Sequence, residues 1–341
     1  MELPFIDPDI RRAETLPGWF YTDPEVEALF CERLLPQSWQ LVDPACLPEP
    51  GEARPLESGG LPLVMTRDEQ GFHCLSNVCT HRGAIVATEP CRTLRCPYHG
   101  RQFELDGRFR SMPGFEETLD FPRALDDLAS LPVGRVGPLL FVSVRPEIAL
   151  RELVGPLEGK VNWEGLRWIG SRRYTVEASW LLYCENYLEG FHLPFVHPTL
   201  SRELDLSSYT TEIFSWSSHQ VGRDGDGEQG GLYAWIWPNT MLNFYAWGLS
   251  VNQVLPLSPG RCMVIYHTYV SDPGAVGKGA GGDLERVEAE DQAIIQQVQK
   301  GVGSSLYPRG RYSPRHEQGV HHFHRLLLDA LSAVLQTGSL G

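Results

Sequence analysis

Residues 79–100 read CTHRGAIVATEPCRTLRCPYHG, and this stretch decides the reading of the chain. Cys79-Thr80-His81 is C-x-H; fourteen residues later Cys96-Pro97-Tyr98-His99 is C-x-x-H. Each short loop offers one thiolate and one imidazole. A [2Fe–2S] cluster of Rieske type needs two Cys on one iron and two His on the other, and the alternation of Cys and His supplies that set. Cys79, His81, Cys96 and His99 are therefore the candidate cluster ligands. Gly83 and Gly100 follow the two histidines, where tight turns need a permissive backbone. The competing reading is a structural Cys₂His₂ zinc. Ligand order argues against it, because zinc fingers usually place two Cys on a hairpin and two His on a helix, whereas here strand-like runs flank both loops. Cys91, between the loops, reads as a buried free thiol.

Working outward, residues 39–145 carry short strand-like runs separated by Gly/Pro turns: Trp39–Val42, Leu61–Thr66, Phe72–Asn77, Leu94–Cys96, Arg101–Leu105 and Leu139–Val144, with a hairpin signal at Asp106-Gly107. This is an all-β module carrying the two loops. Before it, residues 1–38 form a helical segment packing on the catalytic domain, with Asp23-Pro24 as N-cap and first helical residue. Residues 146–341 form the second domain, and the chain as a whole is α+β. Its expected elements are helical turns at Ala149–Leu157, a strand at Arg173–Val176 and a helix from Trp180 to His192. Strands follow at Thr211–Ser215, Leu232–Trp237, Met241–Tyr245, Leu249–Leu255 and Cys262–Val270, then a helix from Leu284 to Val302 and a last helix from Ser313-Pro314. Gly222–Gly231 and Pro273–Gly282 read as loops.

A second constellation lies at residues 185–198, ENYLEGFHLPFVHP. Glu185, Glu189 and His192 share one helical face at i, i+4 and i+7, and Pro194 breaks the helix so that His197 can fold back toward His192. Two His near a carboxylate suggest a mononuclear iron site with a facial triad. The competing reading is an ordinary pair of histidines at a helix end. For the third ligand, the helix from Leu284 shows an apolar stripe of Leu284, Val287, Ile294, Ile295, Val298 and Val302, with Glu285, Glu288 and Glu290 off its centre. Asp291 lies inside that stripe, where a bare carboxylate is costly unless paired or bound to metal. A salt bridge to a buried Arg is the alternative there. The histidines at 316, 321, 322 and 324 read as core packing and surface polarity.

Composition excludes other classes. The 341 residues carry 29 basic and 43 acidic side chains, a formal charge of −14, which argues against a nucleic-acid surface. No signal peptide and no membrane span are legible, and eight Cys without an export signal suit the cytoplasm. No motif for a flavin or a nicotinamide is present.

These residues resemble the catalytic subunit of the Rieske non-heme iron oxygenases, and the resemblance covers nearly the whole chain. It implies a Rieske β-module on an antiparallel sheet flanked by helices, a [2Fe–2S] cluster on Cys79, His81, Cys96 and His99, and a mononuclear Fe(2+) on His192, His197 and Asp291. It further implies a head-to-tail homotrimer, O2 as co-substrate, and a separate NAD(P)H-dependent flavin and iron–sulfur reductase. Glu189 takes the acid position that links one subunit's cluster to its neighbour's iron; many relatives have Asp there, and one branch has Glu. Asn186 is a further catalytic candidate and Tyr187 a substrate contact. Trp237–Asn243, Val298–Gly301 and the stretch from Gly310 to His324 are most similar to the quaternary-ammonium oxygenase branch, which includes choline monooxygenase. Tyr233, Trp235 and Trp237 alternate along one strand and can form an aromatic wall for a cation or serve as core. The expected substrate is a small N-methylated or quaternary amine, oxidised or N-demethylated. An aromatic-ring-hydroxylating dioxygenase and a non-enzymatic Rieske electron carrier are the other readings.

Overall fold

The computed structural model describes residues 2–197, 205–223, 229–277 and 284–337. The chain divides into two compact units, Leu35–Glu147, and Met1–Leu34 together with Ile148–Gly341. Near the N-terminus lie α1 (Pro24–Leu29) and α2 (Leu35–Gln37), joined by a π-helical turn at Phe30–Leu34. Asp23 caps α1 by accepting from the N–H groups of Glu25 and Val26, and Pro24 takes the first helical position, where its missing N–H costs nothing.

The unit Leu35–Glu147 is all-β. Its strands are β1 (Gln40–Leu41), β2 (Glu52–Ser58), β3 (Leu61–Arg67), β4 (Phe72–Ser76), β5 (Leu94–Arg95), β6 (Gln102–Phe103), β7 (Phe109–Ser111), β8 (Ser130–Leu131), β9 (Val133–Val136) and β10 (Leu139–Val142). They form three small antiparallel sheets, ordered β1-β10-β9, β2-β3-β4-β8 and β5-β6-β7. Asp106-Gly107 turns β6 into β7 as expected. β2 is not legible in the sequence, because Glu52, Arg54, Glu57 and Ser58 give it little apolar alternation. One core joins Val64, Leu75, Val86, Leu94 and Phe103 to Cys79 and Cys96, so the two loop cysteines are rooted in packed side chains.

The second unit has α3 (Leu150–Val154), β11 (Arg167–Val176), α4 (Trp180–Tyr187), α5 (Leu193–Val196), β12 (Asp205–Ile213), β13 (Ser217–Arg223), β14 (Gln229–Ile236), β15 (Thr240–Tyr245), β16 (Gly248–Ser258), β17 (Arg261–Val270), α6 (Leu284–Val302) and α7 (Gln318–Thr337). Seven strands make one antiparallel sheet in the order β11-β17-β16-β15-β14-β13-β12. α4 packs on β16 and β17 and meets α6 and α7. Among the described residues no helix is long and apolar enough to cross a membrane.

Three local expectations are corrected, and one expected loop is described only in part. β13 and β14 extend into the expected loop Gly222–Gly231, of which residues 224–228 lie outside the described residues. Of the loop Pro273–Gly282, residues 278–282 lie outside them too, and Pro273–Ala275 form a 3₁₀ turn. The last helix begins at Gln318 rather than Ser313, since Ser313 donates its N–H to Glu317 in the turn ahead of it. The helix from Trp180 ends at Tyr187, not His192, and α5 is a separate turn.

Candidate metal centres and the cavity beside one of them

The two Cys/His loops are built alike. Cys79 N–H donates to Ala84 O at 2.8 Å and Gly83 N–H returns to Cys79 O at 2.9 Å; Cys96 N–H donates to Arg101 O at 2.8 Å and Gly100 N–H returns to Cys96 O at 3.1 Å. Gly83 and Gly100 hold φ of 74° and 76°, the left-handed region a tight reversal needs. The loops bring the His81 and His99 rings to 4.8 Å between centroids, and both cysteines are buried and free. Burial pushes the Cys79 thiol up, and the Cys96 sulfur adds to this while Arg101 opposes it. Burial, followed by His99 and Arg101, pushes the His81 imidazole down, which keeps it neutral and ready to ligate. Two thiols and two imidazoles converging from mirrored loops fit a cluster with a Cys pair and a His pair.

The sequence reading missed what ties these loops together. Arg101 is 1% exposed. It donates to Thr80 Oγ1 at 2.6 Å and to Asp126 Oδ1 at 3.1 Å, and its guanidinium lies 5.2 Å from the Phe109 and Phe121 rings. A side chain after the second loop thus holds a residue inside the first.

The other constellation is carried by α4, α5 and α6. α5 is a single turn whose flanking residues are His192 and His197, so the i, i+5 spacing places one imidazole at each end. Pro194 sits in the first turn of α5 and starts this helix rather than breaking one. The break comes earlier, at Leu188–Gly190. A Cβ on Gly190 would stand 2.7 Å from the Tyr209 ring, so the chain passes close against that side chain. Glu189 folds over the break, accepting from the N–H groups of Phe191 and His192. Glu185 faces elsewhere, with Oε1 2.9 Å from His324 Nε2.

His192, His197 and Asp291 each offer a donor atom within 4.8 Å of the others. His197 Nε2 lies 3.0 Å and His192 Nε2 3.5 Å from Asp291 Oδ1. Their other ring nitrogens each meet a carboxylate: His192 Nδ1 is 2.5 Å from Glu189 Oε1, and His197 Nδ1 is 2.8 Å from Glu290 Oε2. Carboxylates on the outer nitrogens fix the tautomer that leaves both Nε2 lone pairs facing the centre, as metal-binding histidines require. Burial alone would push the His197 imidazole down; Asp291 and Glu290 outweigh it and hold it above its usual value. Asn186 donates to Asp291 Oδ1 at 2.7 Å and orients that carboxylate. This donor set of two imidazoles and one carboxylate fits a mononuclear iron with open positions.

Glu290 and Glu288 correct the expected helix face. Val298 is 42% exposed, whereas Glu288 is buried together with Ile295 and Val302. The buried face of α6 is turned from the expected stripe toward the line through Glu288, Asp291 and Ile295.

A cavity of about 120 Å³ opens beside the triad. Its wall includes Tyr183, Tyr187, Tyr209, Tyr233, Tyr245 and Tyr266. Burial pushes the Tyr183, Tyr187 and Tyr209 phenols well up, so they remain protonated. Tyr187 donates to Asn243 Oδ1 at 2.9 Å. Tyr183 donates to Glu288 Oε2 at 2.7 Å and also meets the Tyr266 hydroxyl. Burial pushes the Glu288 acid up to about 7. The cavity wall among the described residues holds no Lys or Arg. Trp235 and Trp237, expected on an aromatic wall with Tyr233, do not line it. They are 0% and 3% exposed and pack against Phe323 of α7, which covers that end of β14. Of the expected substrate contacts, the structure puts Tyr233 and Tyr187 on the cavity. Pro198, at the end of the quoted stretch, lies outside the described residues.

Both units have counterparts among known proteins. Residues 38–131 match the family "Rieske [2Fe-2S] domain", and residues 164–333 match "Ring hydroxylating alpha subunit (catalytic domain)". The chain is 33% identical to the chloroplastic choline monooxygenase of Arabidopsis thaliana, over 94% of this chain and 84% of that protein. It is 24% identical to the carnitine monooxygenase oxygenase subunit of Escherichia coli (strain K12), over 93% and 94% of the two. Its fold follows that of the quaternary ammonium Rieske monooxygenase CntA, solved in complex with L-carnitine, with a TM-score of 0.81, 20% identity and 97% and 99% coverage.

Proposed function

The chain belongs to the Rieske non-heme iron oxygenases, and we propose that within them it oxidises a small N-methylated or quaternary amine at a carbon bound to nitrogen. As an oxygenase of this family it carries a [2Fe–2S] cluster and a mononuclear iron and draws on O2 and a separate reductase. In this reading Cys79, His81, Cys96 and His99 hold the cluster, and His192, His197 and Asp291 hold the iron. When bound, the two centres supply single-electron delivery and oxygen activation. The chain's own residues do the rest. Glu189 and Glu290 keep each Nδ1 proton in place, and Asn186 keeps Asp291 turned inward. The tyrosines exclude water and present aromatic faces to the substrate; each face over an alkylammonium group contributes about 0.5–2 kcal/mol.

The observation that carries the substrate reading is the cavity wall, which combines six tyrosines with Glu288 and no Lys or Arg among the described residues. The amine-oxidising relatives support the same choice over ring hydroxylation. Glu189 also serves as the bridge between one subunit's cluster and its neighbour's iron in a head-to-tail homotrimer. A chain of eight cysteines, two of them assigned to the cluster and six outside it, suits a reducing compartment such as the cytoplasm.

The test is oxygen uptake by the reconstituted enzyme with its reductase, over a panel of quaternary amines, tertiary N-methyl amines and neutral arenes. Amine-dependent uptake is expected, with formaldehyde released wherever an N-methyl is the target. Uptake with arenes alone, yielding a hydroxylated ring, would replace the amine reading with ring oxygenation.

A further inference from the structure

Amines of this kind fall into two classes that a binding site must treat differently. Choline-like compounds are net cations, whereas betaines and carnitine also carry a carboxylate. A carboxylate brought into a wall that already holds one needs a cationic partner to offset both the loss of water and the like-charge repulsion. The cavity wall has no Lys or Arg to meet one, among the described residues. It has instead a carboxylate of its own. Glu288 is 6% exposed, reaches the cavity through α6, and makes no ion pair with Lys or Arg among the described residues. Its oxygens are held by neutral donors, Tyr183 Oη at 2.7 Å and Gln292 Nε2 at 2.7 Å.

Charge balance sets Glu288 apart from the metal site. A divalent iron adds two positive charges, and the nearby acids Asp291, Glu189 and Glu290 face the two histidines that would bind it. Arg286 offsets part of Glu290, at 2.9 Å. Glu288 is bonded to neither histidine; burial pushes its acid up to about 7, and an ammonium group placed beside it favours its charged form.

The same wall carries a neutral donor for a hydroxyl oxygen. Asn252 Oδ1 accepts from Asn243 Nδ2 at 3.1 Å and from Ser250 Oγ at 3.3 Å, which fixes the orientation of its amide. The Asn252 Nδ2 group then has no protein partner among the described residues, and the side chain lines the cavity. It has a proton to donate where a substrate would lie.

We infer that Glu288, with Tyr183 and Tyr266 beside it, is the specificity-determining subsite for positive charge, and that the enzyme takes small ammonium monocations bearing neutral polar groups while excluding zwitterionic betaines. This rests on the amine reading of the cavity and narrows it. Glu288 meets the ammonium group, the tyrosine faces surround its methyls, and Asn252 donates to a hydroxyl.

Calorimetric titration of the anaerobic ferrous holoenzyme tests this without turnover. The probes are choline, its neutral isostere 3,3-dimethylbutan-1-ol, glycine betaine and L-carnitine. Choline is expected to bind at least about tenfold more tightly than the other three, a gap of about 1.4 kcal/mol. In Glu288→Gln, which keeps shape and hydrogen bonding, choline should fall to the level of its neutral isostere. Betaine or carnitine binding as tightly as choline to the wild-type protein would overturn the inference and leave the amine reading standing. An unchanged ratio of choline to isostere in Glu288→Gln would remove Glu288 from the subsite. Binding of a neutral arene with none of the amines would overturn both readings. The wild-type series decides the exclusion of betaines even if the variant does not fold.

Discussion

At the scale of single residues, the outer carboxylates decide how well the triad holds its metal. Glu290 touches no metal position itself; it fixes His197 through Nδ1 and is steadied by Arg286. Removing such a partner typically costs 10–100-fold in metal affinity. Glu290→Ala is therefore expected to lose iron to a chelator at roughly 10–100-fold lower competitor concentration, with Glu290→Gln retaining more of the wild-type affinity. Iron retention equal to wild type in Glu290→Ala would show that His197 needs no such partner. Glu290 was hidden in the sequence because Glu285, Glu288 and Glu290 look alike within one acidic helix. Asp291 was legible for the opposite reason, as a charge between apolar neighbours at Val287 and Ile295. The cluster ligands were legible because Cys/His spacing is itself the chemistry. The partners that brace them were not: Thr80, Arg101 and Asp126 are far apart in sequence and meet only through folding.

At the scale of elements, apolar periodicity located the sheet and helices but not the irregularities that build the site. The run from Trp180 to His192 reads as one helix in the sequence, yet the helix stops at Tyr187. Close passage of Gly190 against Tyr209 and the inward fold of Glu189 make a turn there more favourable than another helical one. β13 was missed because its buried residues, Ser217, Ser218, His219 and Gln220, are polar and carry no strand-like apolar pattern. Trp235 and Trp237 do not join Tyr233 on the cavity, because β14 ends at Ile236 and Phe323 of α7 packs against both indoles, and strand alternation does not say where a covering helix begins. The position of Pro194 gives a direct test. In the first turn of α5 it forfeits no hydrogen bond, so Pro194→Ala should keep full iron occupancy. Its stability change should stay within about 1 kcal/mol, the scale of a Pro effect on the unfolded chain. Iron content and the thermal unfolding midpoint are the measurements. Loss of iron in this variant would return Pro194 to the role of helix breaker that the sequence suggested.

At the scale of the whole molecule, the proposed trimer assigns each electron a route from one subunit's cluster to its neighbour's iron through Glu189. If the route lay within one chain, a subunit lacking either centre would be dead in any assembly. If it crosses between subunits, two defective chains can complement each other. Cys79→Ser should remove the cluster and spare the iron site; His192→Ala should do the reverse. Each homomeric variant is expected to be inactive while retaining its remaining centre, checked by visible absorption and iron content. In a head-to-tail ring of three, any trimer containing both variants has one junction where a cluster-bearing chain feeds an iron-bearing one. Random co-assembly makes three quarters of the trimers mixed, so co-expressed material should recover roughly a quarter of wild-type amine-dependent oxygen uptake. Adding Glu189→Ala to the iron-bearing partner, assayed with iron in excess so that both metal centres stay occupied, should abolish that recovery, because the link at His192 Nδ1 is lost. Mixed assemblies as inactive as their parents, with both centres present, would mean that electrons do not cross between subunits and that Glu189 serves only to orient His192.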